Sequence, residues 1–373
     1  MLQLPDFVLA PLGIAYGAAG SARRALYRAG VLPVKVIDAP VISAGNITAG
    51  GTGKTPLVEW LAREAANEGR RICILTRGYG RADAGRRVVV SDGERVLAGA
   101  REGGDEPRLL AEKLLGHRVA VVSDANRVAA AGWALKNLRS EVFILDDGFQ
   151  HLRIGRDLNI LTLDATDPWG GGHLLPRGRL REPLGEMKRA DLIVITRAEL
   201  AGDAGDLRAR AESLSRGRPV LLARTATLRI SPLLSRTSGA TNGTPEPDEI
   251  PQSLADHIPQ SLADHIPQPL AAFCAIGNPQ AFFAHARNES LTLNYTRSFT
   301  DHHAYTQRDV DDCLREAVRH GARALLTTAK DAVKLRALRF ALPCYVLEVA
   351  LKFDEERSMR DILNECISGR VRL

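Results

Sequence analysis

Val41-Ile-Ser-Ala-Gly-Asn-Ile-Thr-Ala-Gly-Gly-Thr-Gly-Lys-Thr55 is the stretch on which the fold turns. An apolar, β-branched run from Val34 to Val41, broken by Pro40, leads into it and reads as a strand. Pro56, Leu57, Val58, Trp60 and Leu61 follow with the spacing of a helix start. Strand, glycine turn and helix in that order form the setting of a phosphate-binding loop. Gly50, Gly51 and Gly53 open backbone conformations that side chains resist, so successive N–H groups can turn toward one anion. The helix start adds unpaired donors and a partial positive charge. Thr48, Ala49, Gly50, Gly51, Thr52, Gly53, Lys54 and Thr55 are therefore the expected nucleotide contacts. Lys54 would be the point charge on the β- and γ-phosphates and Thr55 the hydroxyl for Mg²⁺. The strict pattern wants glycine where this chain has Thr48, so the loop is a Gly-Lys-Thr with a displaced glycine.

Downstream, Val142-Phe-Ile-Leu-Asp-Asp-Gly-Phe-Gln150 ends an apolar strand in Asp146 and Asp147. A carboxylate at such a strand end is the expected partner of a phosphate loop, because it can hold Mg²⁺ or its water shell. Two adjacent buried carboxylates are costly unless a cation or donors meet them. Gly103-Gly-Asp-Glu-Pro107 opens a helix with Asp105 and Glu106 at its entrance, where either can simply favour the helix dipole. The loop Gly170 to Pro183 carries Arg177, Arg179 and Arg181, a set suited to phosphate. Strands near 72–76, 119–122, 158–163 and 191–196, the last of this region, alternate with helices. That alternation predicts an α/β fold of the phosphate-loop type, with a mainly parallel sheet covered by helices. Arg77-Gly-Tyr-Gly80 is a glycine turn, and no dinucleotide fingerprint continues from it.

With 373 residues, 45% apolar and 25% charged, the chain should form two globular domains with ample core. The net charge of +6 suits an anionic substrate, nucleic acid or an acidic membrane surface without choosing among them. Cys73, Cys274, Cys313, Cys344 and Cys366 show no C-x-x-C pairing and read as reduced cytosolic thiols. Residues 1–30 form an apolar segment followed by Arg23, Arg24 and Arg28. It lacks the basic start of a secretory signal, and Pro5, Asp6 and Pro11 weaken it as a span, so a helix lying in a membrane interface fits better. Residues 31–230 form the phosphate-loop domain, and 231–269 a polar linker in which Pro251-Gln-Ser-Leu-Ala-Asp-His-Ile258 recurs as Pro259 to Ile266. Two copies are a duplication in a tolerant linker, not a solenoid, and His257 and His265 are thereby weak metal candidates. Residues 270–373 form a second, smaller α/β domain that includes the titratable loop Ser298 to Thr306.

These motifs together resemble the tetraacyldisaccharide 4′-kinase family. The resemblance runs through Ser43 to Pro56, Arg77-Gly-Tyr-Gly80, Gly104-Asp-Glu-Pro107 and Leu145-Asp-Asp-Gly-Phe-Gln-His151. It continues through Leu174-Leu-Pro-Arg-Gly-Arg-Leu-Arg-Glu-Pro183, Asp301-His-His-Ala-Tyr-Thr306 and Thr327-Thr-Ala-Lys-Asp-Ala-Val-Lys-Leu335. Ala329 departs from the glutamate usual in the family.

The resemblance implies transfer of the γ-phosphate of ATP, with Mg²⁺, to the 4′-hydroxyl of an acylated glucosamine disaccharide 1-phosphate in lipid A biosynthesis. It implies a site at the cytoplasmic face of the bacterial inner membrane, two α/β/α domains joined by a hinge, and an N-terminus that touches the membrane. No nucleic acid and no obligatory protein partner is implied. Asp105 resembles the base, His302 its activating partner from the second domain, and Lys54 the phosphate-binding lysine. Thr55 and Asp147 are metal-side candidates, and the choice among Asp146, Asp147 and Glu182 stays open. Arg77, Asn46, Gln150, His151, Arg127 and Arg181, with Arg179, are substrate-side candidates. Two rivals remain. A membrane-recruited ATPase switch often carries a lysine where this chain has Ala49 and gives the second domain no role; a soluble kinase or ligase leaves the N-terminal segment unexplained.

Overall fold

The computed structural model describes residues 6–233 and 266–369. The duplicated octapeptide, except Ile266, and most of the expected linker lie outside the described residues. The chain forms two compact units, one made of Met1–Thr225 with Leu351–Leu373 and the other of Ala226–Ala350.

The first unit contains strands β1 (Val41–Asn46), β2 (Ile72–Thr76), β3 (Val88–Ser91), β4 (Val119–Ser123), β5 (Val142–Asp146), β6 (Leu158–Asp164) and β7 (Leu192–Thr196). It also holds the start of β8 (Val220–Pro232). They lie in the order β8-β7-β6-β1-β5-β2-β4-β3. All pairings are parallel except β3 against β4. The central strands are buried along their whole length, as strands covered on both faces must be. From β1 the chain moves to β2 on one side and later fills β6 on the other. The carboxyl end of β1 thus sits at a switch point, where sheets of this kind open a crevice.

Helices α1 (Asp6–Arg28), α2 (Lys54–Asn67), α3 (Ala100–Gly103), α4 (Asp105–Lys113), α5 (Arg127–Asn137) and α6 (Ala204–Leu214) belong to this unit. α1 meets the loop after β6 through small residues: a Cβ on Gly17 would come within 2.5 Å of Leu174 Cδ1. Arg24, buried near the end of α1, lies 3.6 Å from Glu182 and 3.3 Å from Glu186. The other side of α1 leaves Phe7 79% and Ile14 73% exposed. Among the described residues no helix is long and apolar enough to cross a membrane.

The second unit orders its strands β10 (Leu293–Ser298), β9 (Leu270–Cys274), β11 (Ala324–Thr328) and β12 (Cys344–Phe353), all parallel. Helices α7 (Pro279–Asn288), α8 (Gln307–Arg319) and α9 (Ala329–Leu335) accompany them.

Three sequence expectations need correction, and one strand was not expected. The first strand is Val41–Asn46, not Val34 to Val41: Pro40 lacks an N–H for the ladder, and Val34 and Val36 are exposed. β7 is not the last strand of the first unit, because β8 pairs with it. β10 escaped notice because Leu-Asn-Tyr-Thr-Arg-Ser is the polar pattern of a sheet-end strand. The terminal helix α10 (Glu356–Ile367), expected in the second domain, belongs to the first unit, where Met359 and Leu363 join the core formed with Leu57, Leu61 and Ile74.

That docking is a hydrophobic contact and should behave as one. Leu363→Ala should lower stability by about 2–5 kcal/mol through the lost side chain and the cavity it leaves. Asp361→Ala, exposed on the same helix, should stay within about 0.5 kcal/mol. Denaturant unfolding followed by tryptophan fluorescence checks both, and equal effects would remove α10 from the core.

Candidate active site

The phosphate loop is braced from behind through its carbonyls. Asn46 Nδ2 donates to Thr48 O at 2.6 Å. Arg179 donates to Ala49 O through Nε and Nη2 at 3.0 and 2.8 Å. Arg197 Nη1 donates to Gly51 O at 2.9 Å and Thr196 Oγ1 to Thr52 O at 3.0 Å. Carbonyls held this way leave the amide side of the turn for an anion. Gly53 caps α2 at φ 72°, and a Cβ there would stand 3.1 Å from Thr196, so both conformation and space require glycine. Ala49 departs from its expected role, because its N–H already donates to Arg179 O at 2.6 Å. Arg179, expected on the substrate, is spent on Ala49 O and on Asp167 at 2.8 Å. Arg197, absent from the sequence-based set, has a guanidinium divided between Gly51 O and Asp164. Its only sequence signal was position, one residue past the end of β7.

Asp146 and Asp147 end β5 beside this loop. Asp147 takes φ 50°, and its carboxylate accepts from Arg181 Nη1 at 2.9 and 2.8 Å, with Lys54 Nζ 3.5 Å away. Burial opposes the charge, but Lys54, Arg181 and the bond to Arg181 outweigh it and hold the carboxyl well below the usual carboxylate range. Asp146 goes the other way. Burial, then Glu106 and Asp147, raise it to about 6 against the pull of Lys54 and Arg127. Arg127, buried, donates Nη2 to Asp146 O at 2.8 Å and Nη1 to Asp147 O at 3.4 Å. It supports the backbone of the acidic pair, a different task from the substrate contact expected of it.

Asp105 stands at the first position of α4, 6% exposed, and its Oδ1 accepts from the Glu106 N–H at 2.9 Å. Gly104, at φ 103°, packs against Gly78, where a Cβ would meet Gly103 O at 2.7 Å. The Arg77 to Gly80 turn and the Asp105 helix are therefore fitted to each other after β2 and before α4, and Arg77 itself is exposed. Glu106, a possible cap by sequence, is the largest like-charge contribution, after burial, to the raised Asp146. His302 lies in the second unit at φ 61°.

Glu182 departs from its expected place among metal ligands. It pairs with Arg189 and lies 3.6 Å from Arg24, so its charge is committed to holding α1. Gln150 Nε2 donates to Asn46 O at 2.8 Å. His151 Nε2 is buried without a hydrogen-bond partner. Among the described residues no three His, Cys, Asp or Glu groups converge into a ready-made metal cage.

A family model described as Tetraacyldisaccharide-1-P 4′-kinase matches residues 5–368. The chain belongs to that family. It is 39% identical over 328 residues to a tetraacyldisaccharide 4′-kinase of Geobacter metallireducens, covering 88% of each chain. It is 40% identical over 368 residues to one of an Anaeromyxobacter species, covering 97% of this chain and 90% of that one. In fold it is similar to the crystal structure of the "apo" form of LpxK from Aquifex aeolicus in complex with ATP, with TM-score 0.70, 29% identity and coverage of 96% and 98%.

In this kinase-family site His151 gives a direct electrostatic test. Burial, then Arg127, Arg156, Arg23 and Arg153, lower it from 6.5 to about 4. The folded state therefore binds this proton more weakly than the unfolded chain. The contribution is intact above 6.5 and is lost as pH falls toward 4. The His151 Cε1–H signal should titrate near pH 4, and the thermal midpoint of His151→Gln should fall less steeply than the parent's between pH 6.5 and 4. A titration midpoint at or above 6.5 would contradict this arrangement.

Proposed function

We propose that this chain is an ATP-dependent 4′-kinase that phosphorylates an acylated glucosamine disaccharide 1-phosphate in lipid A biosynthesis. The observation that carries the reading is an end-to-end family match that includes a complete, braced phosphate loop with Lys54 and Arg181 converging on Asp147. A sugar hydroxyl is a weak nucleophile, and phosphoryl transfer depends on positioning and charge stabilisation. The amides of Gly50 to Lys54 and the Lys54 ammonium hold the β- and γ-phosphates. Lys54 and Arg181 then exchange part of their pairing with Asp147 for phosphate oxygens. Asp105, at a helix start, receives the 4′-hydroxyl proton as the oxygen bonds to phosphorus and the bond to the β-phosphate oxygen breaks. His302 assists Asp105 from the second unit. Asn46, Gln150 and Arg77 serve the sugar side.

Mg²⁺ fits the donor set in one specific way. Asp146 is a carboxyl raised to about 6 by its burial, then by Glu106 and Asp147, and a divalent cation would offset all three. With Asp147 next in the chain, Thr55 in the phosphate loop, and no ready-made cage among the described residues, the set suits an ion that keeps waters and phosphate oxygens. Bound there, Mg²⁺ would neutralise charge developing on the transferred phosphate.

The acceptor's acyl chains place the reaction at a membrane surface, which we assign to the cytoplasmic face of the inner membrane. Phe7, Leu12, Ile14 and Tyr16 are exposed on α1, with Arg23 and Arg28 following, a pattern suited to lying in an anionic interface.

Two experiments test this. Purified protein with γ-labelled ATP, Mg²⁺ and the acylated disaccharide phosphate in detergent should place label in the lipid fraction. Asp105→Ala should lower kcat roughly 10²–10⁴-fold with little change in ATP affinity; less than about a tenfold loss would remove Asp105 as base. Separately, Phe7→Asp with Ile14→Asp should weaken co-sedimentation with anionic vesicles, and unchanged sedimentation would take α1 out of membrane contact.

A further inference from the structure

Thr327 to Leu335 is a sequence motif that the reaction, as read so far, leaves without a task. Within the second unit it is a platform. Thr328 ends β11 and caps α9, its hydroxyl accepting from the Asp331 N–H at 3.1 Å. The Asp331 side chain is fully buried, and its Oδ2 is 2.7 Å from the Thr328 hydroxyl and 3.0 Å from the Ala275 N–H just past β9. Lys334 Nζ lies 3.3 Å from Asp331 Oδ1. These bonds fix the first turn of α9 to the ends of two adjacent strands.

Lys330 leaves that fixed turn and reaches Asp301 Oδ1 at 3.0 Å. The same oxygen accepts the His302 N–H at 3.0 Å, and Asp301 Oδ2 stands 3.8 Å from His302 Nε2. His302 holds a left-handed backbone, φ 61°, which a non-glycine residue keeps only when its surroundings over-determine it. The neighbouring imidazole is engaged elsewhere. His303 stacks on Phe299 with centroids 4.8 Å apart, and its Nε2 is 3.2 Å from Asp309 Oδ2 at the start of α8.

We propose that Lys330 and Asp301 are a positioning pair for His302. Asp301 holds the backbone of His302 with one oxygen and orients the imidazole with the other, and Lys330 fixes the carboxylate and shares its charge. A carboxylate alone beside an imidazole would favour the imidazolium. The Lys330 ammonium offsets that pull, weakening the imidazole's hold on a proton. The charged and titratable groups around this loop among the described residues of the second unit include Asp301, His303 and Tyr305 within it, Lys330, Asp331 and Lys334 from α9, Asp309 from α8, Cys274 from β9, and Arg297 from β10, which lies over the Phe299 ring. Of these, Lys330 is the one that bonds the carboxylate next to His302. The proposal rests on the reading of His302 as the partner of Asp105.

The test uses the full chain with ¹³C-labelled histidine, His302 assigned by His302→Ala. In Lys330→Met the His302 pKa should rise by roughly half a unit or more, as loss of a nearby cation requires. Its kcat at pH 7 should fall about tenfold or more with the KM for ATP nearly unchanged, and the acid limb of the kcat profile should move up with the imidazole. Lys330→Arg, which keeps charge and reach, should restore most of kcat and serves as the control for folding. In a His302→Ala background, Lys330→Met should change kcat less than about twofold, the non-additivity of groups acting as a unit. Parental kcat in Lys330→Met, or an unmoved His302 pKa, overturns the pair while leaving His302 its role. Parental kcat in His302→Ala overturns the underlying reading, and the pair falls with it.

Discussion

The carboxylate of Asp147 is the constraint on which the site depends. It ends a buried strand beside a second carboxylate, an arrangement that is unstable unless positive charge meets it. Three cations do. Arg181 takes both oxygens, Lys54 approaches one of them, and Arg127 bonds the backbone of the pair from below. Each comes from a different element, so the acidic pair ties together the start of α2, the arginine-rich loop after β6 and the start of α5. The same cations that stabilise the empty fold are those a polyphosphate would draw away. A phosphate site can thus be held ready without leaving its lysine and arginine unpaired.

The two carboxyls are then driven apart in affinity for protons. Asp147, bonded by Arg181, is held low; Asp146, buried and facing Glu106 and Asp147, is raised to about 6 against the pull of Lys54 and Arg127. Adjacent acids with divergent proton affinities mark a site where environment, not residue type, assigns the task. Glu182 obeys the same rule with a different result. Enclosed by Arg189 and Arg24, its charge is neutralised at the root of α1, and it anchors that helix while the helix's apolar side remains exposed.

Much of this was legible in the sequence where local chemistry dictates geometry. A glycine turn between a strand and a helix has few alternatives, so Gly50 to Thr55 could be placed in advance, as could the acids ending β5. What could not be read depends on partners distant in the chain. Nothing local to Glu182 distinguishes a metal ligand from an ion-pair anchor; the difference is Arg24, more than a hundred residues upstream. Ala49 stands in the loop by sequence, yet its amide is bonded to Arg179 O, 130 residues away. β10 escaped because a sheet-end strand need not be apolar. α10 was misplaced because amphipathicity says that a helix docks, but not on which core.

The glycines carry the last step. Gly53, Gly78 and Gly104 each sit where positive φ and a neighbour within about 3.2 Å together exclude a side chain. All three lie in the turns that carry Lys54, Arg77 and Asp105. A loop built this way has little freedom to relax, because each turn is packed against a neighbouring chain segment. That rigidity suits phosphoryl transfer, in which the protein contributes placement and fixed charge more than covalent chemistry. The same logic orders the second unit on another scale. There a buried aspartate fixes the first turn of α9, that turn aims a lysine, and the lysine holds the carboxylate beside His302. In both units the groups proposed for chemistry stand on short turns fastened to the ends of parallel strands. The sheets set the positions, and the buried ion pairs hold the side chains there.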